Sequence, residues 1–196
     1  MYNNWRIDLK NSVRAFEKIK DTYLPKIISG NIIGIEQADN AILILLDQKS
    51  GIDAVRINDI GIQGIASRVQ FVGERRPYDS FTIRSARHSG VKTEMEKRLE
   101  QIQSGYFYPA ITLQAYFNNP DDMVLLSMAA IKTIDLYEFI EHNKYNQRFV
   151  KTNKSDNDFV YVNWDCLHPL VKTVYTDAYT EMFCGKRLSQ FKTQTI

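Results

Sequence analysis

Asp47 and Asp53 lie on either side of a Gln-Lys-Ser-Gly stretch, and Arg68 and Gln70 follow at positions i and i+2 of a run of β-forming residues. Two carboxylates that face one point can hold a hard cation such as magnesium, which activates water and stabilises charge on a phosphate. In a strand, the period of two puts Arg68 and Gln70 on one side and Val69 and Phe71 on the other, so the polar pair would point toward a common site. Arg68 can clamp a phosphate but cannot act as a base, because a guanidinium does not deprotonate near neutral pH. Glu36 or Glu17 would add a ligand if its element packs nearby. Each residue also has an ordinary alternative. Aspartate is common in turns, where it accepts local amides. Arg68 and Gln70 alternate with apolar residues as any half-buried strand face does. Glu17 shares a helix face with Lys18 and Lys20 and reads as solvated.

A second group is basic. Arg75, Arg76, Arg84, Arg87, His88, Lys92, Lys97 and Arg98 are interleaved with Tyr78, Phe81 and the hydroxyls of Ser80, Thr82, Ser85 and Ser89. Cations and hydroxyls beside a helix N-terminus are groups that bind phosphate. Arg84, Arg87, His88 and Lys92 lead into such a terminus and are the candidate nucleic-acid contacts. The alternative is a charged surface neutralised by Glu94, Glu96 and Glu100.

These residues need elements to position them. Trp5, Leu9, Val13, Phe16, Ile19 and Tyr23 recur at intervals of three and four, which predicts a helix over 4–22 that ends before Pro25. Short β-rich runs follow: 32–35; 41–46, apolar on both faces and read as a central strand; 52–57; and 62–72. The last three form an antiparallel meander, with Asp53 in its second strand and the polar pair in its third. After a β-rich piece at 80–85, Thr93-Glu94-Met95-Glu96 has the form of a capping box. Val91, Met95, Leu99 and Ile102 continue as an apolar helical stripe that Gly105 can end. Alternation predicts a strand over 110–117, and 124–131 fits either a strand or a helix start. Thr133 is placed to cap a helix over 133–140, and 159–162 reads as a strand leading into an aromatic-rich tail.

The order helix, three-stranded meander, helix, strand resembles the PD-(D/E)xK nuclease superfamily, whose shared core is an α-β-β-β-α-β unit. The resemblance covers about residues 5–117 and rests on Gly51-Ile52-Asp53 as the first acidic element. Where the family carries Glu/Gln-x-Lys, this chain has Ser67-Arg68-Val69-Gln70, with no lysine. The resemblance implies an α/β (α+β) fold whose central mixed sheet holds an antiparallel meander flanked by helices. It also implies catalytic positions at Asp53, Arg68 and Gln70, metal positions at Asp47 and Asp53, and Mg2+ as cofactor if the chain cuts DNA. The missing lysine favours a second expectation, a non-catalytic module that binds nucleic acid or protein on the same scaffold.

Composition bounds these expectations. The chain has 196 residues, is 44% hydrophobic and 24% charged, and carries a net charge of +2. That suits one compact unit and excludes a globally basic binder. Residues 1–150 are expected to form the nuclease-like core, with 151–196 an aromatic-rich extension packing on it. Cys166 and Cys184 are the only cysteines and have no zinc-finger partners, so neither a disulfide framework nor a structural zinc is expected. No apolar run approaches membrane-spanning length and no apolar segment opens the chain, which gives a soluble, cytoplasmic expectation. DNA is the expected partner, a homodimer is allowed, and no membrane partner is expected. Dinucleotide, P-loop, zincin and α/β-hydrolase motifs are absent.

Overall fold

The computed structural model describes residues 4–35, 41–85, 91–146, 150–153 and 159–184. Helix α1 (Asn4–Thr22) is followed by β1 (Asn31–Gly34), α2 (Ala41–Ser50), β2 (Ala54–Asn58), β3 (Gly61–Phe71), β4 (Ser80–Arg84) and α3 (Glu94–Ser104). Then come β5 (Pro109–Phe117), β6 (Leu125–Lys132), α4 (Thr133–Asn143), β7 (Val150–Asn153), β8 (Phe159–Asn163) and β9 (Lys172–Tyr175). A six-stranded mixed sheet has the order β1-β2-β3-β5-β6-β9, and a three-stranded sheet has the order β4-β8-β7. Among the described residues only β3 and β5 run parallel, and the other pairings are antiparallel. Between β3 and β5 the chain crosses back through β4 and α3 to the end where β3 began, as a parallel pair requires. The fold is thus α+β, a mostly antiparallel mixed sheet flanked by helices.

Two apolar clusters cover the faces of the large sheet. On one face, Ala15, Phe16 and Ile19 of α1 pack with Ile65, Leu113, Ala115 and Phe117. On the other, Leu136, Tyr137 and Ile140 of α4 join Phe81, Ile83, Val160, Val162 and Trp164, with Met95 and Leu99 of α3 packed against them. β5 therefore alternates between two interiors: Ile111, Leu113, Ala115 and Phe117 face α1, while Tyr116 faces the small sheet. The C-terminal elements share this core through Trp164, Leu167, Val171 and Tyr179.

The predicted central strand at 41–46 is instead the start of α2. A short apolar run does not distinguish a strand from a buried helix, and flanking signals decide it. Here Gly51 adopts φ 60° and its N–H donates to Asp47 O at 2.9 Å, so the supposed turn at 47–51 is the last turn and C-terminal end of a helix. The antiparallel meander is consequently β1-β2-β3. The undecided segment at 124–131 is strand β6. Thr133 is not a cap: it opens α4 after Lys132, and its buried hydroxyl meets that of Thr112 at 2.8 Å.

The turn before β4 is tied to the C-terminal segment by a polar cluster. Asp79, at φ 47°, accepts from Ser127 Oγ and from Tyr179 OH, each at 2.9 Å. The Tyr179 oxygen in turn accepts from Arg76 Nη2 at 3.2 Å. Burial raises the Asp79 pKa despite these donors and pushes the Tyr179 hydroxyl up to about 12.

Candidate functional site

Asp53 sits one residue before β2, not within it. The first pair of that ladder is Ala54 with Ile65, so β3 runs on past the start of its neighbour. Asp53 extends the pairing with its side chain: Oδ2 accepts the Ser67 N–H of β3. Its main chain adds bonds to Ile65 O at 2.9 Å and from Ile35 N at 3.0 Å. One residue thus joins the starts of β2 and the loop after β1 to the middle of β3, which is why an aspartate is useful there before any chemistry is considered.

A charge from α3, that of Arg98, bears on Asp53. Thr93 caps this helix: its hydroxyl accepts from Glu96 N at 3.2 Å, and Glu96 Oε2 accepts from Thr93 N at 2.7 Å. Gly105 closes it in the left-handed conformation. This fixed helix carries Glu94 and Arg98 one turn apart on the side facing the sheet. Arg98 is only 5% exposed and its Nη1 lies 2.7 Å from Glu94 Oε1, off the line of its N–H. Burial alone would lower the Arg98 pKa, but the Glu94, Tyr137 and Asp53 charges outweigh it and the net shift is upward. The Tyr137 hydroxyl is pushed up to about 12 by burial.

Glu94 Oε2 also faces Arg68 Nη1 at 3.7 Å. Burial lowers the Arg68 pKa, Glu94 opposes that, and the nearby Arg84 reinforces it. Arg68 and Arg84 both lie over the ring of Phe159, with 5.0 and 5.4 Å from guanidinium carbon to centroid. The β4-β8 register makes Arg84 the partner of Phe159, so the small sheet delivers both groups to the face of β3 that carries Arg68.

The remaining predicted residues are dispersed. Gln70 follows Arg68 on its face, opposite Tyr116 of β5. Asp47 stands on α2, where burial raises its pKa. Lys92 pairs with Glu100 on an exposed surface. Arg87 and His88 lie outside the described residues. Glu17 pairs with Lys20. The N-terminus of α3 holds its own acceptors, Thr93 and Glu96.

These donors do not fit magnesium as they stand. A hard divalent ion needs several oxygens turned toward it. Asp53 Oδ2 is engaged by an amide, and the Glu94 oxygens face Arg98 and Arg68. Among the described residues, no three His, Cys, Asp or Glu side chains gather in an arrangement that could hold a metal. Glu94 and Arg98, which the sequence placed only in a charged surface group, were not singled out as site residues. The Glu94 and Arg98 spacing of four beside the Met95 and Leu99 stripe was the available signal. No helix among the described residues is long and apolar enough to cross a membrane. No family model, curated protein or solved structure matches the chain.

Proposed function

We propose that the chain is a non-catalytic nucleic-acid-binding module on a nuclease-like scaffold, with Arg68 and Arg84 holding backbone phosphate. The observation that carries this reading is the pairing of Glu94 with both Arg98 and Arg68, at 2.7 and 3.7 Å. Three arginines, Arg68, Arg84 and Arg98, then stand against the carboxylates of Asp53 and Glu94, so the local field favours an anion over a cation. Phe159 supports two of the guanidinium groups, which suits them to a phosphate chain.

The alternative is a magnesium-dependent DNA endonuclease, which the engaged oxygens of Asp53 and Glu94 disfavour. In that reading Asp53 would be the metal ligand. Incubation with plasmid, linear and branched DNA plus Mg2+ or Mn2+, with binding measured in the same buffers, separates the two. Binding without strand scission is the expected result. Scission that Asp53→Ala abolishes would overturn the binding-only function in favour of the nuclease.

A further inference from the structure

Between β3, β4, β5 and α3 lies a cavity of about 10 Å³, lined in part by Arg68, Thr82, Glu94, Arg98 and Gln114. That is room for about one oxygen-sized atom. Gln114 is 1% exposed, and Thr82 and Arg98 are each 5% exposed. Gln114 Nε2, Arg98 Nε and Thr82 Oγ1 are all buried without a well-aligned hydrogen bond among the described residues, although Arg98 lies beside the Tyr137 hydroxyl. The acceptor end of Gln114 is already used, taking the Thr82 N–H at 3.4 Å, which aims its NH2 group elsewhere. Thr82 Oγ1 lies near the Tyr116 hydroxyl, which itself donates to Ser80 O at 2.8 Å.

Buried donors without acceptors are costly and uncommon, so a donor-rich cavity calls for an occupant that accepts. The lining also holds the Glu94 carboxylate and the Ser67 hydroxyl, but the Glu94 oxygens already face Arg98 and Arg68. The groups left over are mainly donors, into which water would have to place its own hydrogens. An anionic oxygen would not. Arg68, 28% exposed at its side chain, stands at the rim with Arg84 beside it, where further oxygens of the same group would lie.

We infer that this cavity takes one non-bridging oxygen of a phosphate group, with Gln114, Arg98 and Thr82 donating to it and Arg68 and Arg84 holding the oxygens outside. The inference rests on the phosphate-binding reading and adds its anchor. The anchor serves inorganic phosphate and a nucleic-acid phosphate alike.

The test uses the full chain with inorganic phosphate, sodium chloride at matched ionic strength, and a fluorescein-labelled DNA oligonucleotide. Phosphate, but not chloride, should raise the Tm by about 3–5 °C for each tenfold rise in concentration above its Kd. Gln114→Leu should remove that response and weaken DNA binding several-fold. The salt slope should stay unchanged, because no charge is altered. Thr82→Val keeps the side-chain shape and should reduce the phosphate response even if Gln114→Leu does not fold. A parent that responds equally to phosphate and chloride, or to neither, overturns the inference, and so does a folded Gln114→Leu that responds like the parent. If DNA binding depends on the arginines but phosphate has no specific effect, the anchor fails and the binding function stands. If phosphate protects through Gln114 but DNA does not bind, the anchor stands and the binding function fails.

Discussion

Glu94→Gln removes the carboxylate from between Arg98 and Arg68 while keeping its size. Arg98 is 5% exposed, so its charge is left inside, with the Asp53 carboxylate still acting on it. Stripping one partner from a buried pair costs about 3–5 kcal/mol. Glu94 is itself 31% exposed, so water screens part of the effect and about 3 kcal/mol is expected. For a chain of this size that lowers Tm by about 6–12 °C. Guanidinium denaturation followed by tryptophan fluorescence reads the loss, because Trp164 is buried against Phe81 and Tyr116. Glu94 also opens α3 and interacts with its dipole, worth about 0.3–1 kcal/mol. Repeating the substitution in an Arg98→Met background isolates the Arg98 contribution, since the dipole and the longer Arg68 contact remain there. A Glu94→Gln loss within about 0.5 kcal/mol, equal in both backgrounds, would refute the claim that these charges hold one another in place.

Thr93→Ala should cost about 1 kcal/mol by removing the capping hydroxyl of α3, measured by the same denaturation. The Asp79 pKa is raised in the folded chain, so stability should fall as pH rises from the ordinary value of 3.8 through the folded value, then level off. Asp79→Asn should flatten that stretch of a stability series run from acid toward neutrality, and an unchanged profile would show that burial of Asp79 is not what shapes it.

Much of the fold was legible because local chemistry and tertiary context agree. The Thr93 to Gly105 helix carries its own start, stripe and stop, and β5 alternates strictly. The reading of 41–46 failed where they diverge: six apolar residues fit a buried strand or helix, and the deciding feature was Gly51 as a helix end, not a hairpin turn. Asp53 was found through its glycine context, but its bond to Ser67 N depends on where β2 starts relative to β3, which spacing does not encode. The Arg68, Arg84 and Phe159 grouping needs a second sheet folded over the first. Gln114 was visible only as a polar residue in an alternating strand, because nothing local marks β5 as buried on both faces.

The phosphate-binding role of Arg68 and Arg84 is tested most directly by the salt dependence of DNA affinity. Fluorescence anisotropy across a salt series would compare the parent with an Arg68→Gln, Arg84→Gln variant whose fold is checked by circular dichroism. Each lost phosphate contact on duplex DNA removes about 0.9 from the slope of log affinity against log salt, so the variant should lose up to about two units. A folded variant with the parent's slope and affinity would contradict the role assigned to these arginines.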